Sequence, residues 1–131
     1  MRRLRVIRGW KDLPPGDRGA ALAMGSFDGV HRGHQRVIAL AAKAAGASGA
    51  PLGVITFDHH PRVYFRPDEP AFRLMKPDQQ ARALESLGVD VLFVLPLDPE
   101  LANMTDREFA TRVLHEGLGA GGMAEVFRAT Y

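Results

Sequence analysis

The sequence of 131 residues contains no cysteine. A disulfide framework and a thiol nucleophile are therefore both excluded. No apolar run approaches the ~18 residues that a membrane-spanning helix needs. The basic residues Arg2 and Arg3 are not followed by the apolar segment of a signal peptide. These absences favour a cytoplasmic protein with no membrane partner.

Charge of one sign is not concentrated anywhere in the chain. Seventeen Lys and Arg residues stand against fifteen Asp and Glu residues, which gives a net charge of +2. The arginines are scattered and do not alternate with aromatic residues, so nucleic acid is not an expected partner. Apolar residues make up 46% of the chain, enough for a domain that buries a real core. We therefore expect a single globular domain.

Residues 24–34, with the sequence MGSFDGVHRGH, are the most informative stretch of the chain. The apolar segment Ala20–Met24 before it predicts a strand, and residues 35–45 after it have the periodicity of a helix. A strand, a glycine-rich turn and a helix in this order present free backbone N–H groups to an anion. The stretch therefore predicts a phosphate site.

Two histidines, His31 and His34, stand where this helix should begin. A spacing of three residues brings both imidazoles to one side of a helix, where they could donate to phosphate oxygens beside the positive helix end. The alternative, a glycine turn with two solvated histidines, is disfavoured by the preceding G-S-F-D-G sequence. Asp28 either caps the turn or lies near a metal-bound nucleotide. A zinc site that adds residues 59 and 60 is disfavoured, because no carboxylate or cysteine set has ligand spacing.

Strands and helices alternate along the rest of the chain. Strands are predicted over residues 4–7, 20–24, 52–57 and 89–95, and more weakly over 123–127. Helices are predicted from Pro77 to Gly88, with an apolar stripe of Ala81, Leu84 and Leu87, and from a capping box at Thr105 to Gly117. Continuous apolar strands that alternate with helices indicate an α/β fold with a parallel sheet covered on both faces. In such sheets ligands bind beyond the carboxyl ends of the strands.

The glycine-rich stretch resembles a known family. Residues 25–35 are similar to the G-N-F-D-G-V-H-x-G-H-Q stretch of bacterial FAD synthetases, which are bifunctional riboflavin kinase/FMN adenylyltransferases. Residues 56–62 are similar to their T-F-x-P-H-P segment, and residues 84–90 and 93–98 also match the family pattern. The resemblance covers roughly residues 5–120. It implies the Rossmann-like α/β fold of the H-x-G-H nucleotidyltransferase superfamily.

The resemblance also implies an activity and a site. AMP would pass from ATP to FMN in the presence of Mg²⁺, giving FAD and pyrophosphate. His31 and His34 would bind the ATP phosphates and stabilise the transition state. His60 and Pro61 would lie on the flavin side. The nucleotide pocket would be lined by Gly25, Ser26, Phe27, Asp28 and Gly33.

The sequence departs from the family pattern at a few places. Ser26 stands where Asn is usual, and His59 stands where Pro is usual. Residues 124–130 match the family's G-x-[DN]-F-x-F-G segment poorly, and its later I-S-S-T-x-I-R motif and riboflavin kinase domain have no counterpart. We therefore expect residues 1–131 to form a partial adenylyltransferase domain, incomplete at the C-terminus. Two alternatives stay open: an H-x-G-H nucleotidyltransferase with another phosphate acceptor, and an inactive nucleotide-binding fragment.

Overall fold

A five-stranded parallel sheet lies at the centre of the computed structural model, which describes residues 4–25, 32–57, 77–120 and 126–128. The strand order across the sheet is β1-β4-β3-β2-β5, and every neighbouring pair is parallel. The strands are β1 (Arg5–Arg8), β2 (Ala21–Met24), β3 (Leu52–Phe57), β4 (Val91–Leu95) and β5 (Val126–Arg128). The predicted edge strand and the three buried strands are thereby confirmed, and the weakly predicted last strand pairs with β2.

Helices connect these strands. They are α1 (Arg32–Ser48), α2 (Pro77–Ser86), α3 (Pro99–Ala102) and α4, which begins with Asp106–Glu108 and continues with π-type hydrogen bonding over Phe109–Gly117. The capping box at the start of α4 is confirmed. The Thr105 hydroxyl accepts from the Glu108 N–H at 3.1 Å, and the Glu108 carboxylate accepts from the Thr105 N–H at 3.4 Å. No helix in the described ranges is both long and apolar enough to cross a membrane.

One face of the sheet is covered by α1 and α2. Alternate strand residues such as Ala21, Ala23 and Val54 form a buried cluster with Ile38 and Leu84 from the two helices. Alanines on both sides let α1 approach the sheet closely, because a small side chain adds little distance between the layers. The apolar stripe predicted for α2, which consists of Ala81, Leu84 and Leu87, is partly wrong. Among the described residues of α2, the buried ones are Gln80 and Leu84. Leu87 follows the end of α2 and is 37% exposed.

The opposite face is covered by α3, α4 and the segment after β1. Trp10, Leu22, Phe93 and Val113 belong to its buried cluster. Gly53 allows this packing, since a Cβ at this position would lie 2.7 Å from Cδ2 of Leu22. Helices on both faces of a parallel sheet are the expected α/β architecture.

Candidate functional site at the carboxyl edge of β2

The chain adds strands on one side of β2 and later on its other side, so the strand order reverses at β2. Helix α1 leads from β2 to β3 on one side, and α2 leads onward to β4. The chain then returns to the other side of β2, where β5 pairs in parallel with it. In an open α/β sheet, ligands bind in the crevice beyond the carboxyl ends of the strands at such a reversal. The sheet therefore places its candidate ligand site directly after β2.

Gly25 follows β2 at this point and is buried. Its N–H donates to the carbonyl oxygen of Ile55 at 3.2 Å, which holds the start of the glycine-rich segment against β3. Met24, the last residue of β2, is paired with Ile55 of β3. The predicted phosphate-binding segment therefore begins at the carboxyl edge of two adjacent strands.

Helix α1 begins at Arg32, so Gly33 and His34 lie in its first turn. This turn contains no acidic residue that would neutralise the partial positive charge of the helix end. The helix points its N-terminus toward the same edge of the sheet, because it runs from the end of β2 back to the start of β3. The free N–H groups of the first turn of α1 and the partial positive charge of its N-terminus both favour the binding of an anion at this edge.

His34 is an interior residue, with 3% of its surface exposed. It begins a buried stripe of α1 that continues through Ile38, Ala41 and Ala45, each three or four positions further along. The alternative of a solvated histidine is therefore wrong for His34. The other predicted site residues lie outside the described residues: His31, Ser26, Phe27, Asp28, His60 and Pro61.

Two further buried polar side chains, Thr56 and Gln80, were not singled out in the sequence analysis. Thr56 was only part of a family motif, and Gln80 reads as an ordinary polar position on a helix. A signal existed for Thr56, since it continues the alternation of Leu52 and Val54 in β3 and must point toward α1 and α2. Gln80 lies one helical turn before Leu84, so the periodicity of α2 likewise predicts that Gln80 faces the sheet.

A separate charged cluster lies at the other end of the carboxyl edge, beyond β1 and β4. Trp10 is flanked by the Lys11 ammonium and the Arg112 guanidinium, 5.2 and 5.9 Å from its ring centre. Glu100 bridges these cations at 2.8 and 3.1 Å. The hydrogen bond from Lys11, with the nearby positive charges, holds the pKa of Glu100 below its usual value. A cavity of about 190 Å³ opens beside this cluster.

A metal site built from protein side chains is not found in the described part of the chain. No three His, Asp or Glu residues there come close enough to hold an ion. Asp98, the carboxylate after β4, accepts from the Leu101 N–H at 2.9 Å and so caps α3. The residues 59 and 60 considered for zinc lie outside the described ranges.

A solved structure with the same fold is a crystal structure of a macrolide-efflux protein from Streptococcus pneumoniae. It superposes with a TM-score of 0.78 at 24% identity, over 95% of this chain and 49% of that chain. This likeness supports the Rossmann-like α/β architecture, and the efflux role belongs to that protein alone.

Curated relatives share more of the sequence. The bifunctional riboflavin kinase/FMN adenylyltransferase of Pseudomonas fluorescens is 37% identical over 116 residues, which is 88% of this chain and 37% of the relative. The protein of the same name from Listeria monocytogenes is 33% identical over 106 residues, 80% of this chain and 32% of its own length. That of Bacillus subtilis is 36% identical over 91 residues, 69% of this chain and 29% of its own length.

The chain thus spans about a third of the length of these relatives. Residues 13–125 match the family model of FAD synthetase. This match includes the glycine-rich segment, the start of α1 and the switch point of the sheet, and the chain belongs to the FAD synthetase family.

Proposed function

We propose that this chain carries the nucleotide-binding edge of an FMN adenylyltransferase, which transfers AMP from ATP to FMN and releases pyrophosphate. The observation that carries the proposal is the strand, glycine segment and helix at the reversal of the sheet, with Gly25 and His34 both buried there. Family membership and the names of the relatives support the choice of FMN as acceptor. The reaction would take place in the cytoplasm on small-molecule substrates.

In this reaction a phosphate oxygen of FMN attacks the α-phosphorus of ATP as the bond to pyrophosphate breaks. Such a transfer needs positioning and charge stabilisation more than covalent chemistry. The N–H groups at the start of α1 would hold phosphate oxygens, aided by the helix end. His31 and His34 would donate to the same oxygens. Gly25, on a buried backbone, would let the nucleotide approach the end of β2.

The remaining pocket residues are proposals from the same resemblance. Ser26, Phe27, Asp28 and Gly33 would line the nucleotide site, and the backbone of Gly33 lies in the first turn of α1. His60 and Pro61 would lie toward the flavin, because they follow β3, whose carboxyl end is adjacent to that of β2.

The ion that accompanies ATP would be Mg²⁺. The described residues do not form a binding site for it by themselves, since they contain no cluster of three potential ligands. In sites of this kind Mg²⁺ is held mostly by substrate phosphates and water, with one or two carboxylates. When bound, the ion would neutralise charge on the leaving pyrophosphate.

Calorimetry and chromatography test the proposal on the 131-residue chain. We expect ATP with Mg²⁺ to bind, and FAD to form from FMN only very weakly or not at all, because the family's later I-S-S-T-x-I-R motif has no counterpart in these 131 residues. Riboflavin in place of FMN is the control, and we expect no FMN from it, because the motifs in this chain resemble only the adenylyltransferase. Absence of ATP binding would contradict the nucleotide site. Transfer of AMP to another phosphorylated acceptor in preference to FMN would instead favour the second nucleotidyltransferase hypothesis.

A further inference from the structure

The cavity of about 190 Å³ beside Trp10 lies at the carboxyl ends of β1 and β4. Its wall is formed by Arg8, the last residue of β1, and by residues that follow the two strands. Ligands of parallel sheets bind beyond the carboxyl ends of the strands. In the sheet, β1 is three strands away from β2, which is about 14 Å at the usual strand spacing. The cavity is therefore separate from the nucleotide edge proposed at β2.

Arg8 is an exposed cation on the wall of this cavity. Among the residues that the structure describes, no carboxylate forms an ion pair with Arg8, whereas Arg5 of the same strand is paired with Asp17. A guanidinium group offers five N–H donors in a planar arrangement that matches the oxygens of a carboxylate or a phosphate. Arg8 is therefore available to an anionic ligand in the cavity.

Two more cations, Lys11 and Arg112, already hold a carboxylate between them. The Glu100 oxygens lie 2.8 Å from the Lys11 ammonium and 3.1 Å from the Arg112 guanidinium. Both cations are also fixed against the ring of Trp10, at 5.2 and 5.9 Å from its centre. This pair of cations is thus built to bind an oxyanion, and the occupant in the structure is a side chain of the same protein.

Glu100 is held weakly enough to be exchanged. Its side chain is 40% exposed, and those of Lys11 and Arg112 are 61% and 42% exposed. Ion pairs with this much contact with water contribute little to stability, because water solvates the separated charges well. Glu100 also lines the cavity, so a ligand that enters the cavity meets the carboxylate directly.

The charges at the cavity indicate the class of ligand. Of the two carboxylates on its wall, Asp98 is already engaged, since it caps α3. If Glu100 turns away, the three cations Arg8, Lys11 and Arg112 face a single carboxylate. An anion with two or more charges restores the balance, and phosphate and pyrophosphate are such anions. The cavity has several times the volume that one water molecule needs, so either anion fits.

We propose that Arg8, Lys11 and Arg112 form a second anion site, which takes inorganic phosphate or pyrophosphate, and that Glu100 is its internal competitor. The anion accepts hydrogen bonds from Lys11 and Arg112 in place of the Glu100 carboxylate, and from Arg8 across the cavity. Glu100 then turns fully into solvent. This site does not rest on the proposed function, because its ligand, its residues and its position in the sheet are all different.

The fluorescence of Trp10 and the magnetic resonance signal of its indole N–H report on this site alone, because the chain contains one tryptophan. The complete chain is titrated with sodium phosphate and, separately, with sodium pyrophosphate, while NaCl keeps the ionic strength constant. We expect a saturable change in the Trp10 signals with at least one of the two anions. NaCl alone is expected to give no saturable change.

Single substitutions should change the affinity in opposite directions. Lys11→Met keeps an apolar chain over the Trp10 ring but removes the ammonium, and the affinity should fall about 10-fold or more. Arg8→Gln should also weaken the binding. Glu100→Gln should instead strengthen it about 3–10-fold, because the cations no longer have to release a competing carboxylate.

Asp12→Asn is the matched control for Glu100→Gln. It removes the same charge from the loop that carries Lys11, and Asp12 does not line the cavity. Asp12 has a positive φ of 56°, a conformation that asparagine also adopts readily. We expect Asp12→Asn to bind the anion with nearly the affinity of the unmodified chain.

Three results would overturn the proposal. The first is the absence of a saturable Trp10 response to both anions in the unmodified chain. The second is an equal gain in affinity in Glu100→Gln and Asp12→Asn, since overall charge would then explain the gain. The third is loss of the Trp10 response in His34→Gln, which would locate the anion at the edge of β2. If Lys11→Met does not fold, Arg8→Gln and Glu100→Gln decide.

Discussion

Two glycines in helices of this chain should respond in opposite ways to the same substitution. Gly117 ends α4 and is buried against the segment that follows β1. A Cβ at Gly117 would lie 2.6 Å from the carbonyl oxygen of Trp10 and 3.0 Å from Cε3 of its ring. Gly46, in α1, is exposed, and a Cβ there would meet nothing within 4 Å.

The magnitude follows from these contacts. In an open helical position, Gly→Ala stabilises a protein by about 0.4–1 kcal/mol, because the unfolded chain loses freedom. We expect that gain for Gly46→Ala. At Gly117 the new methyl group would overlap a backbone carbonyl, which cannot turn away as a flexible side chain can. Overpacking of this kind costs roughly 1–3 kcal/mol, so the net loss for Gly117→Ala is about 1–2 kcal/mol.

Thermal and urea unfolding of the two variants check this prediction. For a chain of this size, 1 kcal/mol corresponds to a change in Tm of about 4 °C. We therefore expect Tm to fall by about 4–8 °C in Gly117→Ala and to rise by about 2–4 °C in Gly46→Ala. If Gly117→Ala were as stable as Gly46→Ala, the close approach of α4 to Trp10 would be wrong.

Three further predictions concern single side chains. His34→Gln should weaken ATP binding by about 1.5–3 kcal/mol, or roughly 10–150-fold in calorimetry. The control variant His115→Gln, near the opposite edge of the sheet, should bind ATP as the unmodified chain does. Equal ATP affinities of the two variants would contradict the proposed site. Thr105→Ala should lower the free energy of unfolding by about 1 kcal/mol through loss of the capping box, measured in urea against Thr105→Ser. The lowered pKa of Glu100 means that its ion pairs with Lys11 and Arg112 stabilise the fold above the usual value of 4.5 and are lost as the pH falls below it. Glu100→Gln should therefore lower Tm near pH 7 more than at about pH 3, and a pH-independent difference would refute this.

Much of the fold could be predicted because its central strands are nearly continuous in apolar residues. Residues 52–57 form a nearly continuous apolar run, and five of these six are buried in β3. Such a run indicates a central parallel strand without reference to distant residues. β5 gave a weaker signal because it has only three residues, and its pairing with β2 is set by the tertiary structure.

The candidate site is predicted only as far as local patterns extend. Glycine spacing and an adjacent histidine predict a turn after β2, since both features act within a few residues, and residues 26–31 of that turn lie outside the described ranges. The burial of Gln80 depends on how α2 lies on the sheet, and the hydrophobic periodicity instead favoured Leu87. The close approach of Gly117 to Trp10 likewise joins two residues more than a hundred positions apart, so no local pattern predicts it.

His34 would connect the proposed phosphate site physically with the core of this domain. The same face of α1 that carries His34 also carries Ile38 and Ala41, which fix the distance of the helix from the sheet. Any change that lifts α1 from β2 and β3 also moves the imidazole and the helix end relative to Gly25. Electrostatic catalysis depends on groups that are already oriented before charge develops. A histidine held in the core meets this requirement, whereas a solvated one at the same turn would have to lose rotamer freedom on each binding event.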